Sequence, residues 1–198
     1  MLTFVLDIQV ARGNYGSQIA AANMQVLHWN QELADNAQSM ADKCEEGYTN
    51  SPSQLRVCSQ DYNVSENYYY IWSSNNITNI KSWTQVIDSW YDQGKDLSTS
   101  FYLGLNLTSA REYAQLVWAN AYEVGCGGAY TETDIGITIR YFCLYGPGIM
   151  MDQPLYHYGP PATDCNGPVS STYNDLCVNI PAEKEIHVVE PPRTSLAS

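Results

Sequence analysis

The sequence predicts an α+β sandwich in which helices bracket an antiparallel sheet. Two amphipathic helical stretches and one pair of alternating strands support this. In "VLHWNQELADNAQSMADKC" (Val26 to Cys44), Trp29, Leu33, Ala37, Met40, Ala41 and Cys44 recur at helical spacing. In "IKSWTQVIDSWYDQGK", Trp83, Val86, Ile87 and Trp90 fall at i, i+3, i+4 and i+7, with Gly94 placed to end the helix. "GITIRYFCLYG" alternates Ile137, Ile139, Tyr141 and Cys143 against Thr138, Arg140, Phe142 and Leu144, the period of a strand. "EVGCGGAY" reads as its partner across "TETDI", and a Cys126–Cys143 bridge would staple the resulting hairpin. Helices flanking such a pair must bury their apolar stripes on it, which defines the sandwich.

The remaining segments are placed around these. "EEGYTNSPSQLRVCSQDYNVS" is rich in turn formers and reads as loop. The aromatic run "ENYYYIWSSNN" has no decisive period, so helix and strand both stay open there. Ser109 is placed to cap a short helix over Arg111–Trp118. After residue 147 the composition turns to Gly, Pro, Ser and Asn, too poor in large apolar residues for a separate core. A Cys165–Cys177 bridge would close this part as a stapled extension over 148–178, and 179–198 reads as tail or linker. The main domain is then 1–147.

A chain of 198 residues suffices for one domain with a real core. Its 21 acidic and 9 basic residues leave a net charge of −12, which excludes a nucleic-acid backbone as partner, since that needs clustered Lys and Arg. No stretch is long and apolar enough to span a bilayer. The 6 cysteines form no C-x-x-C pair and have no His at ligand spacing, so disulfides and an oxidising compartment are expected. Sequons at Asn63, Asn76 and Asn106 agree with export and glycosylation. "MLTFVLDIQVARG" lacks the basic start and small-residue cleavage site of a signal peptide, so the chain is expected to be either a mature form or one whose true start lies upstream.

Catalytic signatures are missing: there is no G-x-S-x-G, no H-E-x-x-H and no phosphate loop. The 3 histidines, His28, His157 and His187, stand in no nucleophile–base arrangement. No enzyme activity and no cofactor are expected.

Three stretches resemble the CAP superfamily, the group of cysteine-rich secretory proteins, insect-venom antigen 5 and plant pathogenesis-related proteins. "REYAQLVWANAYEVGCG" is similar to the family's Gly-His-Tyr-Thr-Gln-x-Val-Trp stretch ending in Val-Gly-Cys. "YFCLYGPGIMMDQPLY" resembles its Cys-Asn-Tyr-Gly-Pro-x-Gly-Asn, and "SENYYY" resembles its Gly-Glu-Asn-Leu-Tyr. The likeness runs from about Val10 to Cys177, and the short cysteine-bearing extension is most like that of the venom-allergen-like proteins secreted by parasitic nematodes.

The resemblance implies a three-layer α-β-α sandwich whose central cleft is lined, in relatives, by two His and two Glu able to hold a divalent metal. Carried onto this chain, those positions fall on Tyr48, Glu66, Gln93 and Glu112. No imidazole is left for zinc or for proton transfer near neutral pH, so no metal is expected, and Glu112 and Gln93 are expected to hydrogen-bond across a decayed cleft. Thr131 stands where one branch of the family has the partner of the helix-two cysteine, which leaves Cys44 to pair with Cys58. The first helix of relatives is shortened or incomplete here. Relatives that bind sterols or fatty acids imply a lipid-binding function, with Tyr68, Tyr69, Tyr70 and Trp72 as the candidate ligand surface. The rival expectation is a module that docks on a host protein and holds no small ligand. Modulation of host immunity belongs to the same resemblance.

Overall fold

A computed structural model describes residues 20–43, 62–74, 80–95, 97, 103–104 and 107–179. Its elements are β1 (His28–Trp29), α1 (Gln31–Asp42), β2 (Ser65–Ser73), α2 (Trp83–Tyr91), α3 (Arg111–Leu116), β3 (Glu123–Thr133) and β4 (Gly136–Gly146). Short 3-10 turns follow α2 at Asp92–Gly94 and precede α3 at Leu107–Ala110. The four strands lie in the order β1-β3-β4-β2. β1 runs parallel to β3, and the other pairs are antiparallel.

The alternation read along β4 sorts its side chains between two cores. Ile137, Ile139, Tyr141, Cys143 and Tyr145 pack with Val86, Ile87 and Trp90 of α2 and with Tyr113 and Leu116 of α3. Phe142 and Leu144 turn the other way, onto Leu33, Ala37, Met40 and Ala41 of α1. Helices thus cover both faces of one sheet, and the molecule is the expected α-β-α sandwich. Each fully buried Leu, Ile or Phe in these cores contributes about 1.5–3 kcal/mol.

Two glycines let α1 sit against β3. A Cβ on Gly125 would lie 2.2 Å from the Ala34 nitrogen, and one on Gly127 would lie 2.4 Å from the Gln38 nitrogen. Any side chain there would push the helix off the sheet.

The helix expected from Val26 begins only at Gln31. Val26, His28 and Asn30 are extended because their backbone N–H groups are used elsewhere, donating to the carbonyls of Cys177, Tyr122 and Val124 at 2.8–2.9 Å. Asn30 then serves as N-cap, its side chain accepting from the Leu33 N–H at 3.1 Å. Ser82 and Gln85 form a reciprocal capping box on α2. Ser109 does not cap α3, because it lies inside the preceding 3-10 turn and the capping position falls on Ala110, which makes no side-chain cap. The aromatic run is a strand, β2. The hairpin is tighter than "TETDI" implied. The strands continue to Thr133 and from Gly136, leaving Asp134 and Ile135 as the turn.

Cys126 and Cys143 face each other across β3 and β4 and are bonded. Cys165 and Cys177 are bonded as well, while Cys44 and Cys58 lie outside the described residues. The segment after β4 shares the main core: Leu155, Tyr156 and Leu176 are buried with α2, α3 and β4. It clasps the entering chain, with the Cys177 N–H donating to the Met24 carbonyl at 2.7 Å and the Ala22 N–H to the His157 carbonyl at 2.8 Å.

Candidate functional site

The four cleft positions arrive on different elements. Glu66 is the second residue of β2 and is 1% exposed. Gln93 lies in the 3-10 turn after α2, Glu112 is in the first turn of α3, and Tyr48 is outside the described residues. Register sets Glu66 opposite Leu144, on the face covered by α1. Its neighbour Asn67 points the other way, and its Nδ2 donates to the Glu112 carbonyl at 3.0 Å. The β2 side chain that holds α3 is therefore Asn67, a residue the sequence reading passed over.

The expected hydrogen bond between Gln93 and Glu112 is not made. Among the described residues Gln93 Oε1 is buried with no hydrogen-bond partner. Burial pushes the Glu112 carboxyl above its ordinary range, and a hydrogen bond from its own backbone N–H opposes that only in part. These positions do not fit zinc: they offer two carboxylates and an amide with no imidazole, and the register sets Glu66 on the face away from α3. Among the described residues no three His, Cys, Asp or Glu side chains gather into a metal-sized group.

A prediction follows from Glu112. A carboxyl whose folded pKa is raised contributes its stability below the unfolded pKa and loses it as pH rises through the folded value. Glu112→Gln should therefore raise the melting temperature at pH 7, by no more than about 1–3 °C because solvent screens a half-exposed group. That advantage should shrink towards pH 4. Calorimetry across that range checks it, and an unchanged or lower melting temperature at pH 7 would contradict it.

The second feature is a groove of about 560 Å³ along the outer part of β3 and β4. Trp29, Ile80, Trp83 and Tyr141 are among its walls, with Cys126 and Gly128 on its floor. Trp83, the first residue of α2, meets Tyr141 edge-on at 4.7 Å between ring centroids. The Tyr141 hydroxyl donates to the Lys81 carbonyl at 2.5 Å, which fixes the ring. Gly128 leaves the floor bare, since a Cβ there would come within 3.4 Å of both Trp83 and Tyr141. Walls and floor are largely apolar.

The four aromatics expected as one ligand surface are divided by the strand pleat. Tyr68, Tyr70 and Trp72 share the face of Phe142 and Arg140, with Tyr68 at 4.6 Å from the Phe142 ring and stacked on Tyr70 at 6.3 Å. Tyr69 alone is on the groove side, behind the wall, 6.4 Å from the Tyr141 ring and under the Lys81 ammonium at 4.8 Å. Trp72 is 51% exposed. Of the three sequons, Asn63 is exposed on the surface, and Asn76 and Asn106 lie outside the described residues.

A sheet covered on both faces by helices and a disulfide across its central hairpin together define an α-β-α sandwich domain. The family described as "CAP: Cysteine-rich secretory protein family" matches residues 8–145, and the chain belongs to it. Scoloptoxin SSD976 of Scolopendra dehaani is 37% identical over 188 residues, covering 89% of this chain and 83% of its own length. Venom allergen 5 of Polistes dominula is 37% identical over 154 residues, 73% of this chain and 62% of its own. Among solved structures, BmVAL-1 superposes with a TM-score of 0.69 at 22% identity, covering 90% of this chain and 91% of its own. NaASP2, solved with Zn2+, gives 0.69 at 20% identity over 89% and 93%. At such identities the two structures establish the fold. No helix among the described residues is long and apolar enough to cross a membrane.

Proposed function

We propose that this chain is an exported, non-enzymatic CAP protein that holds an apolar ligand of the sterol or fatty-acid class in the groove between Trp29 and Trp83. The groove carries this reading. Its volume falls within the roughly 300–1,000 Å³ of small-molecule sites, and aromatic walls give large contact area at little cost in conformational entropy. The disulfides and the toxin and allergen names of the relatives support export into an oxidising medium. Acting on a host and modulating its immunity is the wider role that an exported protein of this resemblance would have.

The test is competitive binding of a labelled sterol, and separately of a labelled fatty acid, to the purified glycosylated protein. Trp83→Ala should weaken saturable binding by about tenfold or more, the equivalent of roughly 1.4 kcal/mol. Unchanged affinity would remove the groove from the account. A second reading, docking on a protein with no small ligand, is favoured by Trp72 and Ile135, which are 51% and 76% exposed. Absence of binding by either lipid class would leave that reading in place.

A further inference from the structure

We infer that Gln38 is a plug on the open edge of β3, and that the edge it closes pairs with a second copy of itself when released. β1 accompanies β3 only at Glu123 and Val124, and no other described strand joins that side of the sheet. The edge therefore turns backbone groups outward beyond Val124, at every second residue. Gly128 is one of these, and both of its groups are taken by one side chain. Its N–H donates to Gln38 Oε1 at 3.1 Å, and Gln38 Nε2 donates to its carbonyl at 3.1 Å. The carboxamide thus makes the two bonds that a neighbouring strand would make. Gln38 reaches this position because Gly127 lets α1 lie against the strand at that point. A second bond, from Nε2 to Asp42 Oδ1 at 2.8 Å, holds the amide in place.

The edge suits a second copy once the plug is withdrawn. In an antiparallel pair centred on Gly128, Tyr130 stands opposite Cys126, and the pairing stops short of Val124, whose carbonyl is taken by the Asn30 N–H. Glu132 is the one charged side chain between 124 and 132, so no like charges meet. The groove beside Gly127, Gly128 and Tyr130 leaves room for the incoming chain. Unpaired strand edges of this kind are templates for association, and proteins commonly block them with a side chain or a covering segment.

Two measurements test this. In the wild-type protein, hydrogen exchange should protect the Gly128 amide roughly fivefold or more over that of Tyr130, the value of one net hydrogen bond. Equal exchange at the two amides would overturn the plug. Light scattering across a concentration series should then show Gln38→Ala forming a dimer while the wild-type protein stays monomeric. The double variant Gln38→Ala/Tyr130→Pro, which removes an outward N–H without touching the β4 ladder, should be monomeric again. A folded Gln38→Ala that stays monomeric, or a dimer that persists in the double variant, would overturn the self-pairing edge.

Discussion

Gly125→Ala should lower the melting temperature by about 6–12 °C, corresponding to about 3 kcal/mol, the upper end of the usual range for overpacking. The added methyl would lie 2.2 Å from the Ala34 nitrogen and 2.6 Å from the Asn30 carbonyl oxygen. Both are backbone atoms, so no rotamer change relieves the contact. Relief requires α1 to lift off β3, and Leu33, Ala37, Met40 and Ala41 would be drawn partly out of their core. Gly128→Ala is the control, because its methyl comes no closer than 3.0 Å to any atom. It should lose less than half as much. Thermal unfolding followed by circular dichroism checks both, and a Gly125→Ala variant within a degree or two of wild type would contradict the close-approach argument.

Trp90→Ala should cost about 3–5 kcal/mol, a large part of the 5–15 kcal/mol that holds an ordinary domain together. The indole is 1% exposed and lies in the core that joins α2, α3 and β4, where nothing small can replace it without leaving a cavity. Trp90→Phe distinguishes packing from hydrogen bonding. Among the described residues Trp90 Nε1 is buried with no hydrogen-bond partner, so phenylalanine gives up volume but no bond. It should recover most of the loss in urea unfolding. Equal destabilisation by Ala and Phe would mean that the N–H, not the ring, is what the fold uses.

These effects trace features with different degrees of visibility in the sequence. The alternation of Ile137, Ile139, Tyr141 and Cys143 against Phe142 and Leu144 shows the two-faced sheet, because a strand between two helical layers must be apolar on both sides. Trp83, Val86, Ile87 and Trp90 show α2 for the same kind of reason. The start of α1 is not visible, since Val26 to Trp29 have good helical spacing and are extended only because Cys177 and Tyr122, far along the chain, take their backbone groups. The aromatic run shows its four rings but not their division between faces, which required knowing that it is a strand. The groove is the least visible feature: Trp29, Trp83 and Tyr141 come from three separated segments. The signal present was Gly128 in "GCGG", a bare position on a strand, which marks a bulge or a close approach and says nothing of what approaches.

The cleft stands differently. The resemblance puts Glu112 and Tyr48 at the family's two imidazole positions, which is legible in the sequence, whereas the direction of Asn67 towards α3 appears only with the strand register. In the function proposed above, the groove rather than the cleft is the working surface.

The most direct measurement is therefore the lipid titration repeated with Trp83→Ala, with Glu112→Ala, and with a chelator present. The account predicts saturable binding that Trp83→Ala weakens about tenfold and that neither Glu112→Ala nor the chelator alters. Binding that survives Trp83→Ala but is lost with Glu112→Ala or on chelation would place function back in the cleft and contradict it.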